Sequence, residues 1–378
     1  MSFAQLRILV VVGTRPEAIK LAPVVARLRR EPGRFGVTVC AAVQHREMLD
    51  TVLSLFGIEP DVDLDLMRPG QTPSELASRA FAALDRTLAE RGTDWLLVQG
   101  DTTTAMCAAV AAFHRRVRIG HVEAGLRTGD LAQPFPEELN RRVVDLVADA
   151  CFAPTARAAE ALAREGVDSR RIHRTGNTVV DALMDIASRE ADVARQDLVL
   201  VTAHRRESFG EPLSRVFEAV SRLAAAHPAI RFVHVVHPNP SVREAVDRAA
   251  SAANVERVEP LDYRSFVRLL RSARLILTDS GGVQEEAPAF GVPVLVLREK
   301  TERTEAIEAG FARLVGTDPR RIFDEASRVL SGKSDFAGDS LAEGNPFGDG
   351  RASERIVAAL AGEPYEPFRP RSARPLLV

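Results

Sequence analysis

Three carboxylates, Asp101, Glu123 and Glu137, stand where proton-transfer chemistry is the economical explanation of their type and spacing. Asp101 lies in Gln99-Gly100-Asp101-Thr102-Thr103-Thr104, directly after the apolar run Trp95–Val98. Glu123 lies in Gly120-His121-Val122-Glu123-Ala124-Gly125-Leu126-Arg127, directly after Ile119–Val122. Glu137 lies in Pro134-Phe135-Pro136-Glu137-Glu138-Leu139-Asn140-Arg141. Acids delivered by separate segments, with His121, Arg127 and Arg141 beside them, can be held in different protonation states and serve as base and acid. Ordinary structural accounts compete. Asp101 ahead of three threonines suits a helix cap, and Glu137 and Glu138 after Pro136 suit a first helical turn. Glu123, between Val122 and Ala124, has no such account.

Other segments supply cations and a glycine turn. In Gly13-Thr14-Arg15-Pro16-Glu17-Ala18-Ile19-Lys20, Pro16 is placed to start a helix, with Arg15 before it and Lys20 about a turn on. Two cations at a strand–helix turn suit a phosphate or carboxylate, although surface cations on a helix would look the same. In Thr278-Asp279-Ser280-Gly281-Gly282-Val283-Gln284-Glu285-Glu286, the paired glycines let backbone approach a ligand closely. Helix-start N–H groups with Ser280 suit a diphosphate, and Glu286 or Glu285 either complements the helix dipole or meets ribose hydroxyls. The stretch is neither a P-loop nor GxGxxG, so a dinucleotide is not indicated. His204, followed by Arg205 and Arg206, ends another apolar run; arginines would lower its pKa and a close carboxylate would raise it. His237, in His237-Pro238-Asn239-Pro240, ends the next, with capping by Asn239 the plainer reading.

The elements that must position these residues alternate. Ile8–Val12, Val37–Val43, Trp95–Val98 and Ile119–Val122 read as strands in the first half, and Leu198–Thr202, Phe232–Val236, Leu275–Thr278 and Val292–Leu297 in the second. The runs are continuous rather than alternating, as strands buried on both faces require. Helix-length stretches separate them, so the pattern is repeated βαβ units on parallel sheets. Thr72-Pro73-Ser74-Glu75 is a capping box, and Gly166 ends a helix over Ala156–Arg164. A boundary is expected between about Gly166 and Asp197, with a helix near Val179–Glu190 bridging the halves. The expected domains are 1–170, joined by the proline-rich tail 364–378, and 171–363. Two such halves facing each other would form a cleft, and ligands bind beyond the carboxyl ends of parallel strands.

Composition narrows the function. The chain has 378 residues, 46% hydrophobic and 27% charged, a formal net charge of −2 and a pI near 6.5. That balance argues against a nucleic-acid binder. No apolar run reaches the roughly 18 residues of a membrane span, and the start lacks a signal-peptide pattern, so a cytoplasmic protein is expected. Cys40, Cys107 and Cys151 are few, odd in number and scattered in apolar segments, which argues against disulfides or zinc and for buried small hydrophobes.

Taken together, GTRPEAIKLAP from Gly13, QHREMLD from Gln44, QGDTTT from Gln99, HVEAGLRT from His121, PFPEELNR from Pro134, TGNTVVDAL from Thr175, HRRESFG from His204 and TDSGGVQEEA from Thr278 resemble the non-hydrolysing UDP-N-acetylglucosamine 2-epimerase family. The resemblance implies a GT-B-like α/β fold of two Rossmann-like domains, acid–base residues in the first and UDP binding in the second. It implies interconversion of UDP-GlcNAc and UDP-ManNAc by elimination of UDP to 2-acetamidoglucal and re-addition, with no cofactor or metal. Asp101, Glu123 and Glu137 would be the acid–base set, assisted by His204. Arg15, Lys20, Ser280 and Gly281 would hold the diphosphate; Gly282 and Glu286 would hold UDP; Arg141 and Arg303 would bind substrate. A second UDP-GlcNAc as activator would meet Gln44, Arg68, Arg205 and His237, and a homodimer is implied. Thr304 replaces an expected proline, and Phe311 an expected small polar residue, which keeps a modified UDP-HexNAc open as substrate. A GT-B glycosyltransferase using a UDP-sugar donor is the alternative from another class, with a hydrolytic relative or a nucleotide-sugar sensor behind it.

Overall fold

A computed structural model describes residues 5–42, 46–68, 70–205, 208–249, 252–333, 336 and 344–370 of the chain, with side chains left out at 46–48. The chain forms two compact units: Met1–Ala182 with Gly348–Arg369, and a second whose main segment is Leu183–Phe347.

In the first unit the strands are β1 (Leu6–Val12), β2 (Phe35–Ala41), β3 (Val62–Asp63), β4 (Trp95–Gln99), β5 (Arg118–Val122), β6 (Ala150–Ala153) and β7 (Ile172–Arg174). They form one sheet in the order β3-β2-β1-β4-β5-β6-β7. Every pairing is parallel, with Val10 opposite Leu97 and Val98 opposite His121. β4 is buried along its whole length, which is why it is continuously apolar from Trp95 to Val98. The order reverses between β1 and β4, and the loops after these two strands carry Gly13–Arg15 and Gly100–Thr102. That switch point is where open parallel sheets place ligands.

The second unit contains β8 (Leu198–Thr202), β9 (Arg231–Val235), β10 (Val255–Val258), β11 (Leu275–Thr278), β12 (Val294–Val296) and β13 (Ala312–Leu314), ordered β10-β9-β8-β11-β12-β13 and parallel throughout. Its switch point lies between β8 and β11, whose following loops carry His204 and Asp279-Ser280-Gly281. Both units are therefore Rossmann-like. Each sheet has helices packed on a core of aliphatic side chains.

Local signals account for the helix ends. Thr72 caps the helix Pro73–Arg91, its hydroxyl accepting from Glu75 N while Glu75 accepts from Thr72 N, which is the expected capping box. A second capping box, Thr14 with Glu17, starts Arg15–Arg29. The short strands β3, β6, β7, β10 and β13 have no long apolar run to announce them; four of them lie in the outer two positions of a sheet, where burial on both faces is not required.

From sequence, residues up to 363 group with the second half; in the structure Gly348–Arg369 belongs to the first unit. The cause is specific. The Asp181 carboxylate accepts hydrogen bonds from Ala352 N (3.1 Å) and Ser353 N (2.7 Å), satisfying the start of the helix Ala352–Leu360. That helix packs on Arg15–Arg29. Phe368 follows it into the unit, buried, with its N–H donating to Arg174 O at 2.9 Å. The three cysteines are unpaired and buried, and burial pushes each thiol up to about 12. No helix of the described residues is long and apolar enough to cross a membrane.

Candidate active site

In the first unit Asp101 and Glu123 lie just past the ends of β4 and β5, and Glu137 opens the helix Glu137–Val147. Glu123 follows β5 with φ of 67°, a left-handed backbone that few non-glycine residues adopt. Holding it costs on the order of 1–3 kcal/mol and needs a surrounding that overdetermines it. That surrounding is present. Glu123 is buried; its Oε1 receives Lys20 Nζ at 2.5 Å and Asn177 Nδ2 at 3.0 Å, and its Oε2 receives Gln99 Nε2. Three donors around one carboxyl suit its ionised, acceptor-only form.

Asp101 is not a helix cap. Thr102 takes that place for the helix Thr103–His114, its hydroxyl accepting from Ala105 N at 3.0 Å. Asp101 instead receives Arg141 Nη2 on its carboxylate, and Asn140 Nδ2 on its carbonyl at 2.9 Å. Arg141 is itself buried. Glu137 and Glu138, alike in sequence, part company. Glu138 is fully buried and accepts from Thr128 N (3.1 Å), Gly129 N (3.3 Å) and Arg142 Nη2 (2.9 Å). Although burial pushes its carboxyl up, these donors and Arg141 hold it below the usual range. Glu138 is thus used in holding the loop. Glu137 is half-buried and has no hydrogen-bond or ion-pair partner among the described residues, so its carboxylate is available.

Beneath these residues lies a buried polar network. His121, fully buried after β5's glycine, places Nδ1 2.6 Å from Asp145 Oδ1 and Nε2 2.8 Å from Gly100 O. Asp145 also accepts from Arg127 Nη2 (2.7 Å) and Gly125 N (3.3 Å). Gly125 has φ of 84°, and a Cβ there would lie 2.3 Å from Ala158 O, so only glycine fits. Across the switch point, Glu17 accepts from Gly13 N and Thr14 N, both at 2.6 Å, and from the Thr102 hydroxyl at 2.6 Å. It ties the loop after β1 to the loop after β4. Burial raises its carboxyl above the usual range, and the same hydrogen bonds oppose that. Arg15 is half-buried at the start of its helix.

The second unit assembles the cations and the glycine turn. Thr202 and Thr278 share a hydrogen bond between hydroxyls at 2.6 Å, which aligns the ends of β8 and β11. Just beyond, Asp279 Oδ2 accepts from His204 N (2.7 Å) and Arg205 N (2.8 Å). The His237 ring stacks on His204, centroids 4.9 Å apart and planes 15° from parallel. Both expected influences on His204 are present: burial, aided by Arg205, lowers its pKa against the pull of Asp279, and the net direction is down. Burial and then His204 lower that of His237.

Ser280 stands at the start of the short helix Gly281–Glu286 without capping it by side chain. A Cβ on Gly281 would lie 3.2 Å from Arg303 Cζ and 3.5 Å from an Arg205 amine, so two guanidinium groups converge over this glycine. A Cβ on Gly282 would meet only Ser280 Oγ, in ordinary contact at 3.9 Å. Arg303 Nε donates to Glu285 at 2.9 Å, and Tyr263 OH donates to Glu286 at 3.1 Å. Burial pushes Glu302 up, but Arg303 and Arg298 outweigh it and hold its carboxyl at about 2. Phe311 is buried, its ring consumed in packing, and the Thr304 hydroxyl is buried with no partner among the described residues.

The remaining expected residues divide. Arg68 is exposed and donates to Met67 O (2.8 Å) and Asp65 O (3.1 Å). Gln44 lies outside the described residues, as does Arg206. Arg205 and His237 share one cluster with His204. Residues that sequence reasoning did not single out are Gln99, Asn177 and Asp279, each touching a candidate through a contact 24 to 75 residues away in the chain. Only membership in QGDTTT, TGNTVVDAL and TDSGG pointed at them. Among the described residues no cluster of three or more histidine, cysteine or acidic side chains has metal-binding geometry.

Residues 26–361 match the family model described as UDP-N-acetylglucosamine 2-epimerase. Over 371 residues the chain is 48% identical to a Salmonella typhimurium protein named UDP-N-acetylglucosamine 2-epimerase, covering 94% of this chain and 98% of that one. Among solved structures, the UDP-GlcNAc 2-epimerase from Neisseria meningitidis bound to UDP-GlcNAc matches with a TM-score of 0.86 at 39% identity, covering 95% of this chain and all of that one. The Methanocaldococcus jannaschii UDP-GlcNAc 2-epimerase in complex with UDP-GlcNAc and UDP matches with a TM-score of 0.80 at 29% identity, over 94% of this chain. The matched span takes in the loops after β4, β8 and β11, and the chain belongs to the UDP-N-acetylglucosamine 2-epimerase family.

Proposed function

We propose that this protein interconverts UDP-GlcNAc and UDP-ManNAc without a cofactor, by eliminating UDP and adding it back. A carboxylate removes the proton at C2 while the C1–O bond breaks; the electron pair forms the C1=C2 bond of 2-acetamidoglucal and UDP leaves as the anion. Return of a proton to the opposite face of C2, with attack of UDP oxygen on C1, gives the epimer. The reaction needs a base, an acid and cations for a departing diphosphate. Asp101, Glu123 and Glu137 are the acid–base set in the first unit, with His204 in the second. Arg15, Lys20, Arg141, Ser280, Gly281, Gly282, Glu286 and Arg303 hold substrate.

The observation that carries this reading is Glu123, a buried carboxylate in left-handed backbone with Lys20 Nζ at 2.5 Å. Strain of this kind gathers at functional sites. The test is incubation with UDP-GlcNAc in D2O, followed by NMR. Deuterium at C2 together with a UDP-ManNAc signal is expected. Unchanged UDP-GlcNAc at saturating concentration, or free ManNAc with UDP, would refute the proposal. Run from UDP-ManNAc, the same assay examines the activator: traces of UDP-GlcNAc are expected to shorten a lag, through Arg205 and His237, and a linear start with no response to UDP-GlcNAc removes that part.

We also propose a homodimer. Phe113, Leu139 and Leu146 are 56%, 50% and 74% exposed on the packed helices Thr103–His114 and Glu137–Val147, an apolar face that a second copy covers. Leu146→Glu should shift sedimentation from dimer to monomer at micromolar concentration. A wild-type protein that sediments as a monomer rules the dimer out.

A further inference from the structure

We propose that Asp279 is a positioning residue for His204, fixing the ring so that the proton sits on Nδ1 and Nε2 is the atom that exchanges protons; this rests on the reading of His204 as part of the acid–base machinery. The Asp279 carboxylate is 1% exposed. One oxygen, Oδ2, is accounted for by the backbone amides of His204 and Arg205. A staple for that loop needs nothing more. The other oxygen, Oδ1, is also buried and accepts no hydrogen bond among the described residues. Leaving a buried acceptor without a donor is unfavourable, because its desolvation is not repaid. Its nearest cation-forming neighbour is His204 Nδ1, at 3.7 Å. That is about 0.8 Å beyond the ~2.9 Å of a formed N–H···O bond.

The placement follows from the sheet. Asp279 N donates to Thr202 O at 3.2 Å, and Thr278 lies opposite Thr202, so the residue after β11 and the loop after β8 are held in register. The amide clamp fixes the carboxylate plane. The His237 ring, stacked on one face of His204, opposes tilting and leaves sliding within the ring plane as the easy motion. A shift of about 0.8 Å closes the gap. Asp279 then does for His204 what an orienting carboxylate does for any general acid–base histidine: it selects the tautomer and stabilises the imidazolium when it forms. Among the described residues, Arg205 on the same loop is the other charged group acting on His204, opposing the pull of Asp279, and the titratable ring stacked on it is His237.

Asp279→Asn tests this with little change of shape. The carboxamide oxygen still accepts the two backbone amides, but an NH2 donor replaces Oδ1 and demands a lone pair on Nδ1. In 15N-histidine NMR above the titration range, with His204 assigned by its loss in His204→Gln, wild type is expected to carry Nδ1–H and Asp279→Asn to carry Nε2–H. The variant's kcat is expected to fall by roughly 10²-fold or more, with KM changed by less than about 3-fold. In a His204→Gln background, Asp279→Asn is expected to add little, because the two act as a unit. An Nε2–H tautomer in wild type overturns the proposal, even if the variant does not fold. So does wild-type turnover by Asp279→Asn when His204→Gln is inactive, or a further tenfold loss in the double variant. Wild-type turnover by His204→Gln instead removes the role of His204 itself, a separate result.

Discussion

Glu123→Gln is expected to slow deuterium incorporation at C2 by roughly 10²–10⁴-fold while changing the Kd for UDP by less than about 3-fold. The substitution keeps the size of the side chain but removes its negative charge and its ability to accept a proton. The donors around it, Lys20, Gln99 and Asn177, are placed for an anion, so an amide NH2 also meets a donor there. A thermal melt on the same sample separates misfolding from lost chemistry. Exchange near the wild-type rate in a folded variant would remove Glu123 from the acid–base set and leave Asp101 and Glu137. The contrast between exchange and UDP affinity matters because the candidate nucleotide-binding groups Ser280, Gly281, Glu286 and Arg303 belong to the other unit, while only Arg15 and Lys20 of the diphosphate set lie in the unit of Glu123.

The second large effect is on stability. Asp145→Ala should destabilise the first unit by about 3–5 kcal/mol, because it strands buried cationic and polar partners. Asp145 is 1% exposed and serves His121, Arg127 and Gly125 together. Glu165, which also binds Arg127 but is 37% exposed, makes a control: its replacement by alanine should cost no more than about 1 kcal/mol. Trp95, the chain's one tryptophan, lies buried in β4 and reports unfolding of this unit by fluorescence in urea. The pH dependence has a definite sign. Burial pushes the Asp145 carboxyl up, but His121 and Arg127 outweigh it and the folded pKa lies below the ordinary value. Its stabilisation is therefore complete above about pH 4 and is lost as pH falls through the lower folded value. Wild type should lose stability over that acid window more steeply than Asp145→Ala. Parallel acid profiles would show that Asp145 does not carry the linkage.

Much of the fold was legible because its signals are short-range. Continuous apolar runs mark strands buried on both faces, and Thr72-Pro73-Ser74-Glu75 marks a helix start, each within a few residues. The short edge strands, such as β3 at Val62–Asp63, carry too little apolar sequence to show the same way. For the candidate site, strand-end position alone brought Asp101, Glu123, His204 and the Gly281–Gly282 turn into view. It did not separate Glu137 from Glu138, adjacent acids whose difference lies in whether the loop Thr128–Gly129 and Arg142 turn toward them. Nor did it free Asp101 from a capping role, since aspartate caps helices at least as well as threonine and only geometry shows that Thr102 does it.

The sequence by itself determined two Rossmann-like units, the family, and which loops carry acids and which carry cations, because backbone propensity, burial period and motif are written in neighbouring residues. The tertiary structure alone decided which of those residues meet: Lys20 and Asn177 at Glu123, Arg141 at Asp101, His237 and Asp279 around His204, and the helix Ala352–Leu360 with the first unit. Each of these contacts joins segments far apart in the chain through strand order and register. Strand order follows from burying all the apolar faces at once, so no local stretch encodes it.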